Sequence, residues 1–558
     1  MPQSQTRSPA DRPASRVRLR LKPWSPWSAG AVVIALIVLF PILSVVWTAF
    51  HPEQNIWPHL VATTLPRYLA NSLILMACVG ALTGAVGTGA AWLVTRYRFP
   101  GHRWLEYLLL LPMAIPAYVG AYALVDFLEY SGPVQSGLRQ LFGWSSARDY
   151  WFPEVRSIGA AILVLSASLY PYVYLLSRAA FREQSGGAEE VAMSLGRGPL
   201  RRFLTVGLPL ARPAIAASVA IVMMETVNDF GTVDYFAVQT LTTGIFSVWL
   251  QSYNAGGAAQ IACVILGLVV FLVLLEKSSR RRLRYYNLSS RHRPIVPVAL
   301  RGAGAWLATL ACVIPLAMGF VLPGAVIASH ALHEAGAWSD PGLVKALRHT
   351  LTVCGLAALV TVGAGVFLVY GVRLSGAALP RLLMPVTTIG YAAPGAVLAV
   401  GILIPLAGMD HRLADLVAAF TGRDPGLVLT GTGFALVLAY SVRFFAIAQG
   451  AADSAMGRIP PSLPMAARSL GRNRAAVLRE VHFPLIRGSL ASALLMVFVD
   501  CVKELPATLL LRPFNYDTLA TRVYEKASLE QLGEAAPAAL VVIFVGLCAV
   551  ALLARANR

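Results

Sequence analysis

Apolar residues in this chain are gathered into twelve blocks separated by short polar stretches. Each block is close to the roughly 20 residues that a helix needs to cross a bilayer. They lie at 29–50, 70–95, 104–128, 157–178, 213–232, 258–276, 304–328, 347–371, 381–406, 427–446, 488–508 and 534–554. Apolar residues at amphipathic spacing would leave an aqueous face, whereas continuous blocks leave none and belong in lipid. In hydrocarbon every backbone N–H and C=O needs an internal partner, and a helix supplies its own. The expected fold is all-α, a polytopic membrane protein of about twelve transmembrane helices. Composition agrees: 57% of the 558 residues are hydrophobic and 13% charged, against about 25% charged in a soluble domain.

The formal net charge of +19 raises the question of a nucleic-acid partner, and the distribution of the charge answers it. Basic residues fill alternate connections: Arg7, Arg12, Arg16, Arg18, Arg20 and Lys22 before the first block, then Arg96, Arg98 and Arg103 after the second. They return as Arg182, Arg197, Arg201, Arg202 and Arg212 after the fourth, and as Lys277, Arg280, Arg281, Arg282, Arg284, Arg291 and Arg293 after the sixth. The intervening connections, 51–69, 129–156 and 233–257, mix in Glu53, Asp149, Glu154 and Asp234. That alternation is the positive-inside bias of a membrane protein, with both termini in the cytoplasm, and no nucleic-acid partner is expected. The first block is too long for a removable signal and lacks a small-residue cleavage site, so it reads as a retained span. Cys78, Cys263, Cys312, Cys354, Cys501 and Cys548 all fall in or at the ends of blocks with no Cys-x-x-Cys among them, which fits small packing residues better than disulfides or zinc. Gly80 and Gly84 form one Gly-x-x-x-Gly, a pattern that brings helices close.

The chain also repeats itself. Ser194-Leu195-Gly196-Arg197 reappears as Ser469-Leu470-Gly471-Arg472, and Leu208-Pro209-Leu210 as Phe483-Pro484-Leu485, each 275 positions on. More loosely, Pro112 and Pro116 have counterparts near Pro385 and Pro394. Six spans return the chain to the side it started from, so the two halves enter the membrane in the same sense as parallel repeats. The expected organisation is a cytoplasmic basic tail at 1–28, a first half at 29–276, a linker at 277–303 and a second half at 304–558. Both repeated motifs sit in long cytoplasmic loops, about 181–210 and 447–487. Each reads as a short helix (Glu189 to Leu195; Met465 to Leu470), a glycine able to end it at positive φ, an amphipathic segment, and then Pro209 or Pro484 at the next span.

These segments resemble the Glu-Ala-Ala loop of binding-protein-dependent ABC importer permeases. The first copy runs Glu190-Val191-Ala192-Met193-Ser194-Leu195-Gly196 and the second Met465-Ala466-Ala467-Arg468-Ser469-Leu470-Gly471, with Met465 where the family has an acidic residue. The fused two-half arrangement and the stretch Lys503-Glu504-Leu505-Pro506-Ala507-Thr508 look like the ferric-iron members. The resemblance implies a type I importer permease fold in a cell (inner) membrane, and two copies of an ABC ATPase docked on the two loops. It also implies an extracytoplasmic solute-binding protein that delivers cargo. Thiamine and polyamine importers share this architecture and remain open as alternatives.

The residues agree with a separate engine. No Gly-Lys dipeptide exists, hence no phosphate-cradling G-x-x-x-x-G-K-[ST] loop. Neither His-Glu-x-x-His nor G-x-S-x-G occurs, so the chain is expected to be a non-enzyme without its own cofactor, ATP being used by a partner subunit. A reading of a different class, an ion-coupled secondary transporter, predicts carboxylates deep in broken helices. Ionisable residues do recur at matched places: Glu225 pairs with Asp500, and Asp229 with Glu504, again 275 apart. Continuous helix would put Asp500, Lys503 and Glu504 on one face, and Glu225 with Asp229. These five should line the bundle interior, as a pathway or gate or as internal pairs pinning helices. His330, His333 and Glu334 stand together at the end of block seven, chemically able to hold a metal, although an interfacial histidine pair is the simpler account and no metal site is expected.

Overall fold

A computed structural model describes residues 26–556 except 185, 282–296, 376–377, 389 and 391–392. The basic tail expected at 1–28 therefore falls almost wholly outside the described residues, as does most of the linker expected at 277–303. Ten helices are long and apolar enough to cross a membrane: Pro26–Phe50, Leu65–Arg96, Ile158–Glu183, Pro199–Asn228, Ala255–Glu276, Ala303–His333, Pro341–Leu374, Gly395–Thr421, Arg474–Lys503 and Leu532–Leu552. Two further helix pairs pass the same test together but are bent, His102–Ala114 with Ala117–Phe142 at 93° and Phe434–Arg443 with Phe445–Gly457 at 51°, which brings the count to twelve if each pair is one span. Each of the twelve overlaps an expected block.

The departures from the expected spans have local causes. Block three is not one helix, because Pro112 and Pro116 remove amide donors and bias the residue before Pro116 to extended geometry. Ile115 is extended (φ −100°, ψ 120°), and a new helix starts at Ala117. Block nine, expected at 381–406, is displaced: Pro394 (φ −55°, ψ 147°) opens a helix at Gly395 that runs on to Thr421. That extension is anchored by Asp410, whose carboxylate accepts from the N–H groups of Val428 and Thr430 at 2.8 Å each. Pro116 (φ −57°, ψ 142°) and Pro394 thus play the same part in the two halves.

The halves interlock. Helix Pro26–Phe50 lies against Pro341–Ser375 and Gly395–Thr421 of the other half, while 322–333 lies against Ala117–Leu128 of the first. Trp27 stacks on Phe367 with ring centroids 4.9 Å apart. Gly401 packs so closely on Pro41 that an added Cβ would sit 2.1 Å from the Pro41 carbonyl oxygen, so only glycine allows this crossing. Gly80 and Gly84 do admit a neighbour, the Val219 and Met223 side chains of helix Leu208–Asn228. The one strand pairing among the described residues is Tyr97–Arg98 beside Val298–Ala299, in parallel.

The repeat extends through the three-dimensional structure. Thr240 and Thr518 each form a capping box with the threonine three positions on. The next amide in each case, of Leu241 or Leu519, donates to Ser72 Oγ at 3.0 Å or Thr350 Oγ1 at 2.8 Å. Those pairs are 278 apart, whereas the loops between them are 275 apart. The second half loses three residues before its loop and regains them between Ala507 and Thr518.

Candidate functional site

The two repeated loops fold alike. The first contains helix Gly186–Ser194 and the second Ser462–Ser469. Gly196 (φ 72°) and Gly471 (φ 81°) stop them in the left-handed region, where a side chain is penalised. The Arg197 amide donates to the Ala192 carbonyl at 3.0 Å and the Arg472 amide to Ala467 at 3.1 Å, the wide closing bond of a Schellman cap. Ser194 and Ser469 Oγ each donate to a carbonyl three residues back, at 2.9 and 2.8 Å. Glu190, Arg197, Met465, Ala466 and Arg472 are exposed, as are Leu195 (70%) and Leu470 (82%), while Ala192 is buried. Apolar side chains held in the open on a capped turn form a surface suited to docking.

A single helix joins each loop to the interior. After Gly196 the chain passes through Pro199–Arg202 and a π turn at Phe203–Gly207 into Leu208–Asn228. After Gly471 it passes through Arg474–Val477 and a π turn at Leu478–His482 into Phe483–Lys503. The π turns immediately precede Pro209 and Pro484, whose missing amides and ring bulk displace the regular α pattern. Gln184 fastens the first loop to its neighbours: its Nε2 donates to the Gly207 carbonyl at 3.0 Å, and Arg96 Nη2 donates to its Oε1 at 2.8 Å. In the second half Tyr370 Oη donates to the Arg474 carbonyl at 2.6 Å.

The far ends of those two helices meet at a cavity of about 170 Å³ between the halves. Glu225, Asp229, Asp500, Lys503 and Glu504 all line it, together with Tyr118, Tyr172, Asn228, Ser168 and Arg443. Gly395, against Glu504, lies six residues from Gly401 and hence about 9 Å along the helix from the level of Pro41. Pro41 is near the middle of Pro26–Phe50, so the cavity lies within the membrane-spanning part of the bundle.

The expected common faces do not form. Helix Phe483–Lys503 ends one residue short of Glu504, whose backbone turns to ψ 116°. Only Asp500 and Lys503 meet, at 3.4 Å. Glu504 instead pairs with Arg443 Nε at 3.1 Å, and its Oε1 accepts the Ala507 amide at 3.1 Å. In the same way helix Leu208–Asn228 ends before Asp229 (ψ 133°). Asp229 Oδ1 accepts from the amides of Thr232 at 3.0 Å and Val233 at 3.2 Å, and Oδ2 from Thr232 Oγ1 at 3.0 Å. Asp229 and Glu504 therefore cap matching short helices, Gly231–Tyr235 and Pro506–Leu511, at a break in the membrane. Arg443 was not among the expected residues; an arginine inside block ten was the available signal.

On the side away from the loops, contacts between halves close over the cavity. Tyr524 Oη donates to Asp234 Oδ2 at 2.6 Å, Arg156 bridges to Glu530 at 3.2 Å, and His330 Nε2 meets Asp126 Oδ2 at 2.9 Å. The histidine group separates: His333 Nδ1 faces the Ser329 carbonyl at 2.7 Å and Glu334 packs on Gly533. Among the described residues no three His, Cys, Asp or Glu side chains converge as a metal-holding group.

A repeat of apolar helices around a charged interior cavity is the architecture of a transport pore subunit. The chain matches, over residues 83–285, the family described as binding-protein-dependent transport system inner membrane component. It is 27% identical over 529 residues to the Fe(3+)-transport system permease protein FbpB 2 of Haemophilus influenzae, covering 92% of this chain and 95% of that one. A putative ferric transport system permease protein, FbpB 1 of the same organism, is 24% identical over 531 residues, 89% of this chain and 78% of the relative. The sulfate transport system permease protein CysT of Salmonella typhimurium is 28% identical over 254 residues, 43% of this chain but 86% of its own length.

Proposed function

We propose that this chain is the complete membrane pore of an ATP-driven importer of ferric iron, with both halves fused and both termini in the cytoplasm. Two copies of a separate ATPase dock on the loops around Gly186–Ser194 and Ser462–Ser469, and an extracytoplasmic binding protein hands cargo to the opposite face. The observation that carries this reading is the pair of exposed, identically capped loops, each wired through one helix to the cavity wall. Closure of an ATPase dimer would shift both loops together and, through Leu208–Asn228 and Phe483–Lys503, move Glu225 and Asp500. The substrate assignment rests on relatives of nearly full length that are named for ferric transport. Thiamine and polyamines are the competing substrates.

The carboxylates at broken helices, Asp229 and Glu504, are the feature an ion-coupled secondary transporter would also show. Both are occupied as helix caps, and Glu504 is ion-paired, so neither is a free proton carrier in this conformation. The two classes separate in proteoliposomes holding the permease with its ATPase and loaded binding protein. Uptake of ferric iron should need ATP and survive a protonophore. Uptake that persists without ATP and collapses with the proton gradient would overturn the ATP-driven reading, and uptake of thiamine or a polyamine in place of iron would overturn the substrate.

A further inference from the structure

We propose that the first-half wall of the central cavity is a transit site for a hard multivalent cation, with Glu225, Asn228 and Tyr118 as its oxygen donors. This rests on the cation-import reading above and assigns the groups that cargo meets inside the membrane. The argument begins with an asymmetry in the repeat. Asp500 has Lys503 beside it at 3.4 Å, and Glu504 has Arg443 at 3.1 Å. At the same 275-residue offset the first half has Glu225 and Asp229 for the two carboxylates, but Asn228 in place of Lys503 and Ser168 in place of Arg443. All eight residues line the cavity. Each position that carries a cation on one wall carries a neutral oxygen-bearing side chain on the other.

A second observation is independent of charge. Asn228 (4% exposed) and Tyr118 (5% exposed) both line the cavity, and among the described residues neither the Asn228 amide oxygen nor the Tyr118 hydroxyl has a hydrogen-bond partner. Leaving a buried polar atom unsatisfied costs about 1–3 kcal/mol, and two at one cavity, beside the Glu225 carboxylate, point to a ligand that supplies the missing contacts. Glu225 makes no ion pair or hydrogen bond among the described residues, and a bare carboxylate in a membrane helix marks a pathway or a partner to come. The donors are all oxygen, and no cysteine lines the cavity, so a hard cation is selected over a soft one. Four carboxylates face two cationic groups there, which disfavours an anion. Asp229 contributes field rather than ligation, because both its oxygens cap Gly231–Tyr235. Few donors make a weak site, which is what passage requires: cargo has to leave as readily as it enters.

The probe is Tb³⁺, a hard trivalent ion whose emission is sensitised by a nearby phenol, titrated into the purified full-length permease with its ATPase. A saturable tyrosine-sensitised signal is expected. Glu225→Gln and Asn228→Lys should each weaken it about tenfold or more, the second by rebuilding the Asp500–Lys503 arrangement. Tyr118→Phe should dim the emission, and the surface change Asp149→Asn should leave the titration as it is. No saturable signal, or an unchanged titration in both Glu225→Gln and Asn228→Lys, overturns the site, Tb³⁺ then being held by surface carboxylates only. Because Asn228→Lys brings its own partner for Glu225, it keeps the test decisive if Glu225→Gln destabilises the fold. Ferric uptake by the unaltered complex is measured alongside. Absent uptake with Glu225-dependent Tb³⁺ binding removes the ferric reading alone, while normal uptake with Glu225-independent binding removes the transit site alone.

Discussion

Glu504 and Arg443 form an ion pair at 3.1 Å with side chains only 5% and 10% exposed, and Gly395 lies against it with no room for a Cβ. The pair joins the break after Phe483–Lys503 to the kink after Phe434–Arg443, so it fixes the relative position of two discontinuous elements in the second half. Removing one member of a buried pair leaves a charge stranded, at a cost of about 3–5 kcal/mol. Arg443→Met should therefore lower the melting temperature of the purified protein markedly, and adding Glu504→Gln should recover part of the loss. An Arg443→Met protein that melts like the parent would show the pair to be dispensable.

The loop glycines act through backbone geometry alone, since no atom lies within 4 Å of where a Cβ would stand at Gly196 or Gly471. Holding a non-glycine residue in the left-handed region costs of order 1–3 kcal/mol. Gly196→Val and Gly471→Val should insert at normal levels but lose ATPase co-purification and ATP-dependent uptake, while Gly471→Asn, which tolerates positive φ, should retain most of both. Normal ATPase capture by Gly471→Val would mean that the loops are not the docking elements.

Docking should be unequal at the two loops, because Glu190 offers a charge where Met465 offers only an exposed thioether. Glu190→Ala is expected to weaken ATPase binding more than Met465→Ala, and more so at low than at high salt. Equal losses, or the reverse order, in a binding titration would remove this asymmetry.

Lys503 serves Asp500 and not Glu504, so Lys503→Met strands one carboxylate that is 29% exposed, not a fully buried one. Its melting temperature should fall less than that of Arg443→Met, with basal ATPase activity or flux altered. A larger fall than for Arg443→Met would mean that Lys503, not Arg443, is the principal partner in this cluster.

The paired capped loops are legible in the sequence because their signals are local: a glycine that must adopt positive φ, a proline at the start of the next helix, and both repeated at one spacing. Glu225, Asp229, Asp500, Lys503 and Glu504 were found for a related reason, charge being rare in apolar blocks. Their partners were misread. Spacing of three and four implies a shared face only while the helix continues, and both helices stop, at Asn228 and at Lys503, before the second carboxylate of each pair.

What the sequence determined by itself was the set of long apolar segments, the repeat and the two exposed loops, because hydrophobic length and turn chemistry act over a few neighbouring residues. Tertiary structure alone decided that Arg443 answers Glu504, that the Asn228 amide oxygen and the Tyr118 hydroxyl find no partner among the described residues, and that the helix ends converge on one cavity. Those outcomes depend on where Pro116 and Pro394 break helices and on which glycines, such as Gly401 and Gly395, let distant segments touch. Contacts between residues hundreds of positions apart leave no periodic trace in a chain; they follow from close packing of the interlocked halves.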